Sequence, residues 1–197
     1  ILQRMTSVQE RWLDVLGVDS VGAFNRLCVG GKVSDLIRVA EGYHERRVSE
    51  IADQIRHSGA RLVAIAGPSS SGKTTFIKRL RTQLQVLGAT PYELSLDDYY
   101  VDRERTPRDA SGEYDFEAFD ALEVELLTDH LGRLCGGEEV ELPRYDFRRG
   151  ASVRNSGRTV RLGDHDVLLA EGIHGLNPRL AELVPPGAVF AVFVCPL

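Results

Sequence analysis

The sequence predicts an α/β protein built as three layers, α/β/α, with a parallel sheet between helices, and three observations predict it. Short apolar runs without polar alternation recur between segments of helical periodicity, and a glycine loop joins one such run directly to a helix. The third is size: 197 residues, 43% hydrophobic and 27% charged, suffice for one full core and exclude a disordered tail, a collagen-like fibre or a disulfide scaffold.

Taken in order, residues 1–30 mix apolar and polar types around several glycines, and only Trp12, Leu13 and Leu16 suggest a short amphipathic turn. Over residues 43–57, Val48, Ile51, Ala52 and Ile55 follow the i, i+3, i+4, i+7 rule, and Ser58-Gly59 supplies the stop, so a helix with one buried stripe is expected. Residues 61–66 read as a strand. Phe76, Ile77, Leu80, Leu84 and Leu87 then return to helical spacing until Gly88 ends it. A second strand is expected over 91–96, a helix over 119–134 from Phe119, Leu122, Leu126, Leu127 and Leu134, and a third strand over 167–170. Asn177-Pro178 resembles a cap with proline at the first helical position, opening a short helix to Leu183 before a last strand at 189–194. Between Glu139 and Gly163, two alternating runs, 140–142 and 158–162, look like an excursion from the sheet.

These elements divide into a mostly helical N-terminal segment, 1–58, and a domain over 59–197. The chain starts at Ile1 rather than Met and stops at Leu197 directly after a strand. It therefore reads as an excerpt that lacks the C-terminal part of its fold. With 24 Lys+Arg against 29 Asp+Glu, the net charge of −5 offers no bulk attraction to nucleic acid or an anionic membrane. No apolar run is long enough to span a bilayer. Cys28, Cys135 and Cys195 are odd in number and share no CxxC spacing, so neither a zinc site nor a disulfide framework is expected and a reducing compartment fits.

Gly67-Pro68-Ser69-Ser70-Ser71-Gly72-Lys73-Thr74 matches G-x-x-x-x-G-K-[ST] in full, between a buried strand and an amphipathic helix. Glycines let backbone N–H groups turn onto phosphate oxygens, the helix start adds positive potential, Lys73 can reach the β/γ-phosphates, and the Thr74 hydroxyl can ligate Mg²⁺. Gly67, Ser69, Ser70, Ser71, Gly72, Lys73, Thr74 and Thr75 are the expected nucleotide-binding residues of a P-loop NTPase-type domain. A Ser/Gly turn that merely caps a helix explains the glycines but not the lysine.

In open α/β sheets ligands sit outside the carboxyl ends of the strands, so acids that directly follow apolar runs are candidates. Asp97-Asp98-Tyr99-Tyr100 follows the second strand and Glu171-Gly172 the third. Phosphoryl transfer to an alcohol needs one carboxylate for the hydroxyl proton and another acid for the metal. Taken alone, an Asp pair is more often a turn or a helix cap.

The phosphate loop, Ser95-Leu96-Asp97-Asp98-Tyr99-Tyr100, Tyr114-Asp115-Phe116-Glu117, Pro143-Arg144-Tyr145-Asp146-Phe147 and Glu171-Gly172-Ile173 follow one another as in the uridine kinase and phosphoribulokinase family, which this sequence resembles over roughly residues 61–196. The resemblance implies an ATP- and Mg²⁺-dependent kinase acting on a nucleoside-like small molecule. Asp97 would be the base, with Lys73 on the phosphates, Thr74 and Glu171 on the metal side, and Glu117 on ribose hydroxyls. Tyr100, Tyr145 and Phe147 would face the nucleoside. A cytoplasmic location goes with that chemistry, and a homo-oligomer is compatible with it. Two departures concern base recognition: Glu117 is followed by Ala118-Phe119 where uridine kinases usually carry His-Pro, and Phe147 by Arg148-Arg149 where they carry a histidine. The stretch Leu36-Ile37-Arg38-Val39-Ala40-Glu41-Gly42 also resembles the segment joining a threonyl-tRNA-synthetase-like front module to a uridine kinase-like domain in larger bacterial proteins.

Arg144, Arg148 and Arg149 can bind a substrate anion or form a solvated basic loop. His174 reads as a capping or supporting histidine, and His44, His57, His130 and His165 as surface or helix residues. Cys135 has no base partner nearby and is not expected to be a nucleophile. Two alternatives stand beside the nucleoside kinase. One is a nucleotide-binding regulator or NTPase without small-molecule kinase activity; the other is a kinase for another acceptor, such as a phosphorylated sugar or pantothenate.

Overall fold

The structure, a computed structural model, describes residue 10 and residues 12–195; both chain ends, Ile1 and Leu197, lie outside the described residues. The chain divides into two compact units, one running to Ile51 and one starting at Ala52. In the first, residues 12–16 are helical, α1 spans Val21–Val29, and α2 begins, running over Val33–Ser58. The Ser20 hydroxyl accepts the Ala23 N–H at 3.2 Å and so starts α1. The Trp12 ring meets Tyr43 edge-on at 4.4 Å. α2 starts ten residues before the expected 43–57 segment, absorbing Gly42, because one interior glycine costs a helix only about 1 kcal/mol.

The second unit opens with the last turns of α2, where Ala52 and Ile55 are buried. It continues through β1 (Leu62–Ala66), α3 (Lys73–Val86), β2 (Thr90–Ser95), α4 (Val124–Cys135), β3 (Glu139–Asp146), β4 (Ala151–Arg161), β5 (Asp166–Glu171), α5 (Pro178–Glu182) and β6 (Val189–Phe193). Four strands form one parallel sheet in the order β2-β5-β1-β6. All of β1 and the centre of β5 are buried, which is what strands covered on both faces require. Leu62, Ala64, Leu94, Leu168 and Ala170 share one core with Leu127, Leu131 and Leu134 of α4 and with Val140, Leu142 and Val160 of β3 and β4. The two-residue strand period sends Leu169 to the opposite face, where it lines a cavity with Ile77 of α3. A central parallel sheet flanked by helices is thus the fold.

The helix expected over 119–134 is broken. A 3-10 turn at Phe119–Ala121 is followed by extended Leu122, and α4 starts only at Val124. The backbone in between pairs with the segment after β2: Val101 N–H donates to Ala121 O at 2.9 Å and Glu123 N–H to Tyr99 O at 2.7 Å. Phe119 and Leu122 are still buried, so the apolar spacing reported burial while tertiary pairing claimed the hydrogen bonds. The excursion at 139–163 is a separate antiparallel hairpin of β3 and β4, longer than the alternating runs, with an irregularity between Leu142 and Arg144 where Pro143 lacks an N–H. Asn177 caps α5 as expected, its side chain accepting Arg179 N–H at 3.0 Å.

Candidate active site

Parallel strands in register place their carboxyl ends on one sheet edge, and three of those ends carry the candidate residues. Glu171 pairs in register with Ile65 of β1 on one side and Ser95 of β2 on the other. The loop after β1, the turn after β2 and the last residue of β5 therefore meet.

The loop is shaped by sterics. Gly67 is buried, and a Cβ there would lie 2.0 Å from Val194 O, so only glycine fits beside the chain leaving β6. Ser70 (φ 58°) and Gly72 (φ 88°) are both left-handed, which turns successive N–H groups into a concave nest at the start of α3. Ser71 Oγ is buried with no partner, whereas Ser69, Ser70 and Thr75 are exposed. The Lys73 ammonium donates to Gly67 O at 2.8 Å and Pro68 O at 2.9 Å, closing the loop on itself.

Thr74 and Glu171 line one cavity of about 120 Å³, together with Lys78, Glu93, Ser95 and Arg158. Among the described residues no cluster of three or more His, Cys, Asp or Glu side chains could hold a metal. The donor set suits Mg²⁺ nonetheless, because a hydroxyl and a carboxylate are hard oxygens and this ion keeps waters and phosphate oxygens for its other positions. Thr74 and Glu171 are the residues that would hold it.

Asp97 lies in the 3-10 turn Leu96–Tyr99. Burial raises its carboxyl above the ordinary 3.8 and Asp98 adds to the rise, while His174 and Lys73 pull it down. Glu171 is raised above 4.5 by burial first, then by Asp97, with Lys73 opposing. Glu171 thus lies in the field of Asp97, and Lys73 acts on both. Asp98 turns elsewhere: its Oδ1 accepts the Tyr145 N–H at 3.2 Å.

Aromatic side chains pack together beyond the acid turn. Tyr100 is 7% exposed, its hydroxyl donates to Phe116 O at 3.1 Å, and its ring sits edge-on to Tyr145 at 5.7 Å. Phe147, 60% exposed, meets Tyr145 at 5.0 Å. Burial, then Asp97 and Glu117, push the Tyr100 hydroxyl up to about 12. Glu117 itself is exposed, and its N–H is capped by Asp115 at 2.9 Å. Arg144 is on the exposed face of β3, opposite inward-facing Tyr145.

Three further features were not foreseen. The segment after Tyr100 staples the hairpin, with Asp102 accepting Ser152 N–H at 2.8 Å and Arg103 N–H donating to Gly150 O at 2.8 Å. Arg158 borders the cavity of Thr74 and Glu171 from β4. His130, read as a surface or helix residue, lies in α4 and is only 7% exposed, its Nδ1 3.0 Å from the hydroxyl of buried Tyr99. Its helical spacing with Leu127 and Leu134 was the available signal. The thiol of Cys135 is pushed up by burial, in keeping with an inert side chain.

Comparison with known proteins gives one consistent result. The family model described as Phosphoribulokinase / Uridine kinase matches residues 62–194. A uridine kinase of Chloroflexus aurantiacus is 35% identical over 113 residues, covering 57% of this chain and 51% of the relative. One of Staphylococcus aureus is 33% identical over 119 residues, 60% of this chain and 55% of the relative. The chain spans about half the length of the curated relatives it matches. Among solved structures, a possible uridine kinase of Bacillus stearothermophilus superposes with a TM-score of 0.59 and 28% identity, covering 77% of this chain and 81% of the other. A kinase assigned to a fructose transport system in Silicibacter sp. TM1040, 16% identical over 73% of each chain with a TM-score of 0.53, shares the fold.

Proposed function

This chain belongs to the phosphoribulokinase and uridine kinase family, and we propose that it transfers the γ-phosphoryl group of ATP to a hydroxyl of a nucleoside or similar sugar-bearing small molecule. One observation carries the reading: the strand register brings the loop after β1, the turn with Asp97 after β2 and Glu171 at the end of β5 to one sheet edge, and Tyr100 beside that turn packs its ring on Tyr145 of the hairpin. The N–H nest and Lys73 hold and neutralise the phosphates. Asp97, lifted in proton affinity by burial, accepts the proton of the attacking hydroxyl. Thr74 and Glu171 would hold a Mg²⁺ ion, which would supply positive charge to screen the phosphates. Glu117 binds sugar hydroxyls, and Tyr100, Tyr145 and Phe147 face the rest of the acceptor.

A second acceptor class is favoured by Arg148 and Arg149, both exposed at the hairpin turn beside Phe147: an anionic acceptor such as a phosphorylated sugar. An ADP-release panel with ATP, Mg²⁺ and nucleosides, sugar phosphates or pantothenate, run beside Asp97→Asn, tests the reading. Acceptor-dependent ADP release that is lost in the variant supports it. Release that ignores every acceptor and survives the substitution overturns it in favour of a nucleotide switch.

A further inference from the structure

Asp97 belongs to a 3-10 turn of four residues, Leu96–Tyr99, that is held at both ends. At one end a Cβ on Gly172, just past β5, would lie 2.9 Å from the Leu96 Cβ, so the turn rests directly on that backbone. At the other end the start and middle of α4 hold Tyr99 by backbone and side chain. Glu123 N–H donates to Tyr99 O at 2.7 Å, and His130 Nδ1 lies 3.0 Å from the Tyr99 hydroxyl. Tyr99 is 1% exposed, and its ring meets the buried His130 ring edge-on at 5.7 Å. Among the described residues Nδ1 is the partner of that hydroxyl, and burial, with Asp98 adding, raises the phenol so that it keeps its proton. The proton needs Nδ1 as acceptor, which puts the imidazole's own hydrogen on Nε2. Protonating Nδ1 would set two hydrogens face to face, and a hydroxyl turned to accept would leave its own proton bare in the core.

We propose that His130 is a positioning residue of the transfer reaction: its neutral ring holds the Tyr99 hydroxyl, and through Tyr99 the turn that carries Asp97, and a proton on Nδ1 releases that hold. This rests on the transferase reading above. Asp97 lies two residues before Tyr99 in the same turn, so a shift of Tyr99 displaces the base from the acceptor, and a misplaced base costs rate rather than nucleotide binding. The charged groups facing the imidazole are Asp129 and Arg133 from α4 and Arg154 from β4, and those facing the phenol are Asp98 and Arg158. Burial favours the neutral ring most, with Arg133 and Arg154 acting the same way and Asp129 opposing. The hold is therefore intact at neutral pH and is lost as acid protonates the ring.

The test follows the Cε1–H resonance of His130 in the intact chain, assigned by its loss in His130→Asn, through a pH titration. Tyr99→Phe removes a bond made only to the neutral ring, so the midpoint rises by about 0.5 unit or more. A midpoint that stays or falls means that Nδ1 is not the acceptor, and overturns the proposal. In turnover, Tyr99→Phe and His130→Leu each lower kcat about tenfold with the KM for ATP unchanged, and the double variant loses no more than either alone. His130→Asn, whose Oδ1 can accept from Tyr99 but takes no proton, recovers most of kcat and removes one protonation from the acid limb of its pH profile. Tyr99→Phe keeps the buried ring and serves alone if His130→Leu does not fold. Full kcat in either folded variant of an active enzyme overturns the positioning role alone; a wild-type chain with no transfer to any acceptor overturns the transferase reading and the positioning role with it.

Discussion

The Asp98 carboxylate accepts the backbone N–H of Tyr145 at 3.2 Å, joining residues 47 positions apart and tying the acid turn to the hairpin. The two neighbouring acids therefore differ in surroundings, Asp97 in the field of Lys73 and Asp98 bonded to the hairpin. Replacing Asp98 with Ala leaves the Tyr145 N–H without its partner and is expected to cost about 1–2 kcal/mol in urea unfolding. Hydrogen exchange over β3 and β4 should quicken, whereas unchanged exchange there would show that the contact does not hold the hairpin.

Lys73→Met removes the ammonium but leaves the nest. ADP release is expected to fall about 10²- to 10³-fold and ATP binding, by calorimetry, at least about tenfold. Thermal stability should change little, because among the described residues Lys73 hydrogen-bonds carbonyls of its own loop. Retained ATP affinity would remove the phosphate role.

Two glycines separate sterics from backbone freedom. Gly59 has φ +69° and nothing within 4 Å of an added Cβ, so Gly59→Ala should cost about 1 kcal/mol. In Gly67→Ala the new methyl meets Val194 O, and the cost should exceed about 2 kcal/mol with loss of nucleotide binding. Equal unfolding midpoints for the two variants would contradict the close approach.

The pH dependence has two opposed parts. Asp97 and Glu171 are raised above 3.8 and 4.5, so their contribution to stability is full below those values and is lost as pH rises through their folded values. His130 and His174 are lowered below 6.5, mainly by burial, so their contribution is present above 6.5 and lost as pH falls through their folded values. Asp97→Asn should therefore raise Tm at pH 7.5 by roughly 2–4 °C while abolishing turnover, with the gain shrinking below pH 4. A Tm gain that persists undiminished in acid would assign the effect to packing instead.

Tyr99→Phe deletes the hydroxyl beside His130 and leaves a buried Nδ1 without a partner. A loss of about 1–3 kcal/mol in urea unfolding is expected. No loss would mean the ring nitrogen is satisfied without Tyr99.

Local chemistry made much of this molecule legible in its residue order. The phosphate loop depends on near neighbours: glycines for left-handed backbone, a lysine at a helix start, a buried strand before it. The strands of the sheet were readable because burial on both faces demands unbroken apolar runs, and Asn177-Pro178 because a cap acts on the residue two places on. Leu122 was misread because its backbone pairs with residues near Tyr100, and no periodicity encodes a hydrogen bond to a segment some 20 residues away.

Tertiary structure alone decided which side chains meet. That Lys73 lies in the field of Asp97 and Glu171, that Asp98 holds the Tyr145 N–H, that His130 pairs with Tyr99, and that His174 Nε2 is buried without a partner all follow from strand register and loop packing. The physical reason is range. Backbone preference and hydrophobic period act over a few residues, whereas a buried charge or an unpaired nitrogen takes its properties from whatever the fold brings within a few ångströms, however distant along the chain.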